Sequence, residues 1–228
     1  MGSYSIFDIA GPIMIGPSSS HTAGAVKLGQ MARALFDATP EKATFLLHGS
    51  FATVYKGHAT DKALLAGVMK FQTKDPRIKE AFAIAKEQGL AYEFQTGDLG
   101  IAYHPNTVKI TLEKEGIPPM EVVGSSIGGG NIEVKKIDEF DVDFRGAAGR
   151  YFTLIFCHKD KPGMLALITK AIADKGANIA NLQNSRLSKG GKALTIVCLD
   201  SPIALADILA FEKNDDMYFV RSLTSIDS

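Results

Sequence analysis

Apolar residues recur along this chain with two different periods. Over residues 22–36 they fall at Ala25, Leu28, Ala32 and Leu35, the stripe of one helix face, with serines and a threonine just ahead as capping residues. KATFLLHGSF (42–51) is a continuous apolar run and predicts a buried strand. ATDKALLAGVMKF (59–71) and DPRIKEAFAIAKEQG (75–89) return to helical spacing, the second opened by Asp-Pro and closed by Gly. AYEFQT, NTVKITLEKEG, MEVVGSSIG and NIEVKKIDEFDV then alternate apolar with polar and predict four strands. Helices come early and strands late, which suits an α+β layer better than a doubly wound sheet.

The pattern breaks at DFRGAAGR (143–150), where two glycines and two alanines between charged residues predict a short hinge. The expected domains are therefore 1–147 and 150–228. Beyond the hinge, RYFTLIFCHK predicts a strand and KPGMLALITKAIADKG a helix. ANIANLQNSRLS and KALTIVCLD predict strands joined by a turn at KGGK, SPIALADILAFEK a second helix, and MYFVRSLTSI a closing strand. That order is βαββαβ, a ferredoxin-like unit. The fold class is α+β: a mixed α/β N-terminal domain followed by this C-terminal unit.

Composition narrows the functional classes. The 228 residues can bury a sizeable core, and 46% hydrophobic with 22% charged residues is ordinary for a globular protein. Lys+Arg and Asp+Glu are both 25, so the chain lacks the cationic excess that nucleic acid or an anionic membrane surface attracts. No apolar run is long enough to span a bilayer, and the N-terminus lacks the pattern of a signal peptide, so a cytoplasmic location is expected. Cys157 and Cys198, the two cysteines, lie far apart in apolar runs and are expected to be buried as small hydrophobes.

The candidate chemistry starts at IGPSSSHTAG (15–24). No Gly-Lys-Ser/Thr follows at P-loop spacing, and there is no Gly-x-Ser-x-Gly elbow. GSSIGGGN (124–131) lacks the dinucleotide-binding spacing and lies between strands. What remains is a run of hydroxyls and free N–H groups at a helix start with an imidazole beside it, a receptor for a small carboxylate. One hydroxyl would cap the helix, so Ser18, Ser19, Ser20, His21 and Thr22 together point to a site. His58 in YKGHATDKA follows a turn, with Thr60 and Asp61 at the next helix start; an imidazole on such a rim suits a general base. His104 in YHPNT reads as a turn residue, and His48 and His158 as core histidines with satisfied nitrogens. No metal-ligand spacing links the five histidines.

Two resemblances add to this reading. HKDKPGMLALITKAIADKGANIANLQNSR (158–186) resembles the opening of an ACT domain, a small-molecule regulatory module. There the turn at Gly163, with Met164, and the strand start at Asn178 and Ile179 would hold an effector, the helix N-terminus facing its carboxylate. ACT domains also imply pairing of copies through their sheets. FDIAGPIMIGPSSSHTAGAVKLG, GSFATVYKGHATDKALLAG, YHPNTVKITL and GSSIGGGNIEV together resemble the β chain of bacterial iron–sulfur-dependent L-serine dehydratases, over essentially the whole sequence.

That resemblance implies deamination of L-serine to pyruvate and ammonia with a [4Fe–4S] cluster. A cluster needs three or four thiolates, which two separated cysteines cannot supply. The resemblance places those cysteines on an α subunit, whose iron would take the serine hydroxyl, and implies that this chain is inactive alone. It also points to His58 as the candidate base; beside it His21 is expected to be catalytic, His21, Ser18, Ser19, Ser20 and Thr22 would bind the substrate carboxylate or orient the base, and Thr60 and Asp61 are expected as further substrate contacts. The N-terminal region also resembles the allosteric substrate-binding domain of some 3-phosphoglycerate dehydrogenases. A non-catalytic module sensing an amino acid or anion is therefore the alternative expectation. Isolated chains are expected to form homodimers through the ACT or N-terminal domains.

Overall fold

A computed structural model describes residues 18–146 and 152–223. The described residues divide into two compact units, 18–138 with 143–146, and 152–223 with 139–142. Residues 147–150 of the expected hinge lie outside the described part, as do 224–226 of the expected closing strand.

The first unit is built on a six-stranded sheet carrying helices, whose last strand, Phe140–Gly146, includes residues 140–142 that group with the second unit. Its strands are β1 (Lys42–Leu47), β2 (Ala91–Thr96), β3 (Thr107–Lys114), β4 (Ile117–Gly128), β5 (Asn131–Ile137) and β6 (Phe140–Gly146), in the spatial order β2-β1-β3-β4-β5-β6. β1 and β2 run parallel, whereas β1–β3, β3–β4 and β4–β5 are antiparallel. Two departures from the sequence reading have local causes. The run 131–142 is two strands, because Asp138 takes a left-handed φ of 49° and turns the chain. The run 42–51 leaves the sheet after Leu47, and Gly49–Val54 forms a short helix, α2.

Gly49 makes that exit possible. Its φ is +57°, and a Cβ there would sit 2.6 Å from the Pro105 carbonyl oxygen and 2.7 Å from its Cα. Only glycine fits both the conformation and the contact. The other helices of this unit are α1 (Ala23–Phe36), α3 (Thr60–Val68) and α4 (Ala81–Glu87). The expected helix over 75–89 opens as a 3₁₀ turn, Pro76–Glu80, whose first N–H groups are met by the Asp75 carboxylate accepting from Arg77 N at 2.9 Å.

The apolar stripe predicted for α1 is buried, with Ala25, Leu28, Ala32 and Leu35 all at most 1% exposed. α1 and α3 cross almost backbone to backbone. A Cβ on Gly29 would lie 2.3 Å from the Leu64 carbonyl oxygen, and one on Gly67 would lie 2.1 Å from that of Val26. The two glycines thus set the distance between the helices that carry the first and second halves of the candidate site.

The second unit has strands β7 (Phe152–Lys159), β8 (Ile179–Arg186), β9 (Lys192–Leu199) and β10 (Met217–Leu223), with helices α5 (Met164–Asp174) and α6 (Leu205–Phe211). The order β10-β7-β9-β8 with every pairing antiparallel is the ferredoxin-like topology expected from the sequence. Leu154, Phe156, Ile168, Ile172, Val197 and Phe211 form its core. α6 is shorter than predicted because Ala204 is extended (ψ 141°) and holds residues 201–204 out of the helix. Among the described residues no helix is long and apolar enough to cross a membrane.

Candidate functional site

Three local structures bring the predicted residues together. Ser18–Thr22 enter α1 through a backbone turn, Thr22 N–H donating to the Ser18 carbonyl at 2.9 Å and Gly24 N–H to that of Ser19 at 3.0 Å. The expected side-chain cap is absent: Thr22 holds the cap position without a cap bond, and its buried hydroxyl has no hydrogen-bond partner. Ser18 Oγ instead accepts from His21 N–H at 3.4 Å and meets His21 Nδ1 at 3.2 Å. Ser19 and Ser20 are half-buried beside it.

α2 supplies the second part. Ser50 Oγ lies 3.3 Å from His21 Nε2, so the imidazole is held between two hydroxyls. Phe51, fully buried, meets the same ring edge-on at 5.3 Å. Neither residue figures in the sequence reading, because 42–51 reads as one strand; the signal available was Gly-Ser after an apolar run, a strand-to-helix turn.

The turn after α2 supplies the third part. His58 Nδ1 is 3.3 Å from the Val54 carbonyl. A carbonyl only accepts, so Nδ1 carries the proton, and in neutral His58 the lone pair is on Nε2. Nε2 has no hydrogen-bond partner among the described residues. An open groove of about 460 Å³ runs along Thr53–His58. Ala59 then adopts a left-handed conformation (φ 55°), a strained setting for a residue with a Cβ, and α3 begins at Thr60. Thr60 is fully buried with its hydroxyl unpartnered, and Asp61 is 8% exposed with Oδ1 accepting from Lys62 N at 2.8 Å.

The His21 and His58 rings lie 4.8 Å apart between centroids, so the two imidazoles predicted from separate motifs form one pair. Burial, and next the neighbouring His58, hold the His21 pKa below the ordinary imidazole value. Burial raises the Asp61 carboxyl, opposed by backbone N–H bonds and by the charges of Lys62 and Lys56. Buried orphan hydroxyls are uncommon in folded proteins, where such groups are ordinarily paired. Here Thr22 and Thr60 each stand within two residues of the paired rings. Ser126 is a third, packed where a Cβ on Gly24 would meet its Oγ at 2.0 Å.

The remaining histidines are structural. His158 is 2% exposed with Nδ1 2.9 Å from the Lys159 carbonyl and Nε2 2.8 Å from Thr195 Oγ1, the satisfied core histidine expected. His48 departs from its expected strand setting: it caps α2, half-buried, and its Nδ1 accepts from Leu99 N–H at 3.1 Å. His104 Nδ1 accepts from Asn106 N–H at 3.1 Å within the expected turn.

In the second unit Gly163 (φ 88°) precedes α5 without a side-chain cap. The Met164 side chain is buried in the core, and its N–H turns onto the Lys161 carbonyl at 3.4 Å. Asn178 Nδ2 donates to Asp200 at 2.7 Å, which leaves its Oδ1 as the acceptor, and Ile179 packs against the core.

The donor set does not fit an iron–sulfur cluster. Cys157 is buried, whereas Cys198 is only half-buried, against expectation; burial raises the Cys198 thiol pKa and so opposes the thiolate. Cys198 pairs with Thr153, four residues along β7 from Cys157, so the sulfurs sit about 13 Å apart along the strands. Among the described residues no three His, Cys, Asp or Glu side chains are grouped to hold a metal ion.

A family model described as serine dehydratase beta chain matches residues 5–137. "Probable L-serine dehydratase, beta chain" of Bacillus subtilis (strain 168) is 41% identical over 87% of this chain and 88% of its own. "L-serine dehydratase, beta chain" of Peptoniphilus asaccharolyticus is 40% identical over 89% and 90%. D-3-phosphoglycerate dehydrogenase of B. subtilis is 24% identical over 72% of this chain but only 28% of its own length. A solved ACT domain from GTP pyrophosphokinase of Chlorobium tepidum aligns with 33% of this chain and 86% of its own at 19% identity and a TM-score of 0.27.

Proposed function

The chain belongs to the serine dehydratase β-chain family, and from that premise we propose that it is the β subunit of an enzyme that deaminates L-serine to pyruvate and ammonia. The [4Fe–4S] cluster of that reading belongs to cysteines of an α subunit, in keeping with the thiol arrangement of this chain, and turnover requires both chains. In this reading the α subunit seats over the groove beside His58, and the complex works in the cytoplasm.

The observation that carries the assignment is the state of His58. Its Nδ1–H is anchored on the Val54 carbonyl, and its Nε2 lone pair has no partner among the described residues. Nε2 therefore removes the α-proton of serine, and the carbonyl dipole at Nδ1 stabilises the imidazolium that results. His21 stays neutral beside it, so the pair carries one charge and not two. The hydroxyls of Ser18, Ser19 and Ser20, half-buried where the chain enters α1, receive the substrate carboxylate. Asp61 meets the ammonium, whose charge offsets the cost of burying the carboxylate. In the second unit, the Gly163–Met164 turn and Asn178 Oδ1 with Ile179 take an amino-acid effector.

The test is turnover in the reconstituted complex. With the α chain co-produced and its cluster restored anaerobically, His58→Ala is expected to lower pyruvate formation from L-serine by about 10²–10⁴-fold with the complex intact. Near-normal turnover would overturn the base assignment. Pyruvate formation by this chain alone would overturn the two-chain reading.

A further inference from the structure

The short helix α2 touches both histidines of the pair. Ser50 Oγ reaches His21 Nε2 at 3.3 Å, and the Val54 carbonyl reaches His58 Nδ1 at 3.3 Å. Ser50 and Val54 are four residues apart and lie on one face of the helix, so a single turn of backbone sets the spacing of two rings that come from distant segments. α2 is itself fixed at three points: Gly49 fits against Pro105, Phe51 N–H donates to the Pro105 carbonyl at 3.3 Å, and the Phe51 ring is fully buried.

We infer that Ser50 is a positioning residue, acting through His21 to set the ring plane against which His58 is held. This rests on the reading of His58 as the base. Neutral His21 has one N–H and one lone pair, and each faces a hydroxyl that can donate or accept, Ser18 at Nδ1 and Ser50 at Nε2. Ser18 is local to the His21 turn and moves with it, whereas Ser50 ties the ring to the helix that also holds His58. Removing the Ser50 hydroxyl leaves His21 Nε2 unpaired and the ring held by Ser18 and Phe51 alone, so the face presented to His58, at 4.8 Å and a 33° tilt, loses its anchor to α2. Ser50 touches no reacting atom in this scheme, and its effect falls on the geometry of proton removal.

Two measurements test it together. In the reconstituted complex, Ser50→Ala is expected to lower kcat by about 10- to 100-fold with KM within about twofold. In the full chain labelled with ¹⁵N-histidine, the same change is expected to shift the two His21 ring-nitrogen resonances, assigned by loss of those signals in His21→Gln. Ser50→Thr, which keeps the hydroxyl, is expected to restore both. A kcat within about twofold of wild type, or unmoved His21 resonances in a folded Ser50→Ala chain, would overturn the inference. If Ser50→Ala lowers kcat while the His21 resonances stay put, the effect is one of stability alone and the positioning role fails. The two readings fail separately. Normal turnover in His58→Ala alongside shifted His21 signals in Ser50→Ala removes the base, whereas an inactive His58→Ala alongside a silent Ser50→Ala removes only the role of Ser50.

Discussion

His21 and His58 face each other with ring centroids 4.8 Å apart, although 37 residues of sequence separate them. A second proton on the pair would bring two like charges together in a half-buried site, so protonation of one ring opposes that of the other. What α1 and α3 contribute is the close approach that makes the pair.

Stability should depend on pH through His21. Its folded pKa lies below the usual 6.5, so between the folded value and about 6.5 the unfolded chain binds more protons and stability rises with pH. Above that window the contribution is flat. Urea midpoints between pH 5 and 7.5 should climb more steeply for wild type than for His21→Gln. Equal slopes would show that His21 is not held neutral by the fold.

The helix crossing should tolerate nothing larger than glycine. Gly29→Ala and Gly67→Ala each drive a methyl group into backbone of the facing helix, which cannot rotate away. We expect each to cost about 1–3 kcal/mol or more, read from urea unfolding. Gly57→Ala is the control: its nearest neighbour would be the Val54 carbonyl oxygen at 3.7 Å, an ordinary contact, so its stability should stay within about 0.5 kcal/mol of wild type or rise.

Gly24 and Ser126 should be coupled. A Cβ on Gly24 would lie 2.0 Å from Ser126 Oγ and 2.7 Å from its Cβ, yet 3.7 Å from its Cα. Gly24→Ala should therefore lower Tm, and adding Ser126→Gly should recover part of the loss even though glycine weakens a strand by itself. A double-mutant cycle should give a favourable coupling of about 0.5–3 kcal/mol. Strict additivity would mean that α1 shifts away from β4 instead.

Effector binding to the second unit, if it occurs as proposed, would have a local signature. L-Serine titrated into the ¹⁵N-labelled full chain should move the amides of Gly163, Met164, Asn178 and Ile179, and Asn178→Ala should abolish those changes. Shifts restricted to residues 18–22 and 58–61 would assign all serine binding to the first unit.

Sequence alone determined those parts of the molecule whose cause is local. The βαββαβ order of the second unit follows from period-two alternation and from Pro and Gly at the turns, and each signal is complete within about ten residues. The satisfied setting of His158 was likewise legible from its place in an apolar strand. The hydroxyl run before α1 and the histidine turn before α3 stood out because both exceed what a helix cap needs, and the fold sets their two imidazoles side by side. The capping role itself was not, since the turn from Ser18 to Gly24 closes on backbone carbonyls and leaves Thr22 Oγ1 buried and unpaired.

Tertiary structure decided the rest. Ser50 was hidden inside an apparent strand, because the chain leaves the sheet at Gly49 only by resting on Pro105, 56 residues later. Gly29 and Gly67 read as unremarkable helix positions until the two helices cross over them. The pairing of His21 with His58, and its anchoring from one face of α2, depends on three segments meeting at distances of a few ångströms. Hydrophobic periodicity reports which face of an element is buried. It carries no information about which buried faces meet, and the site exists only where they do.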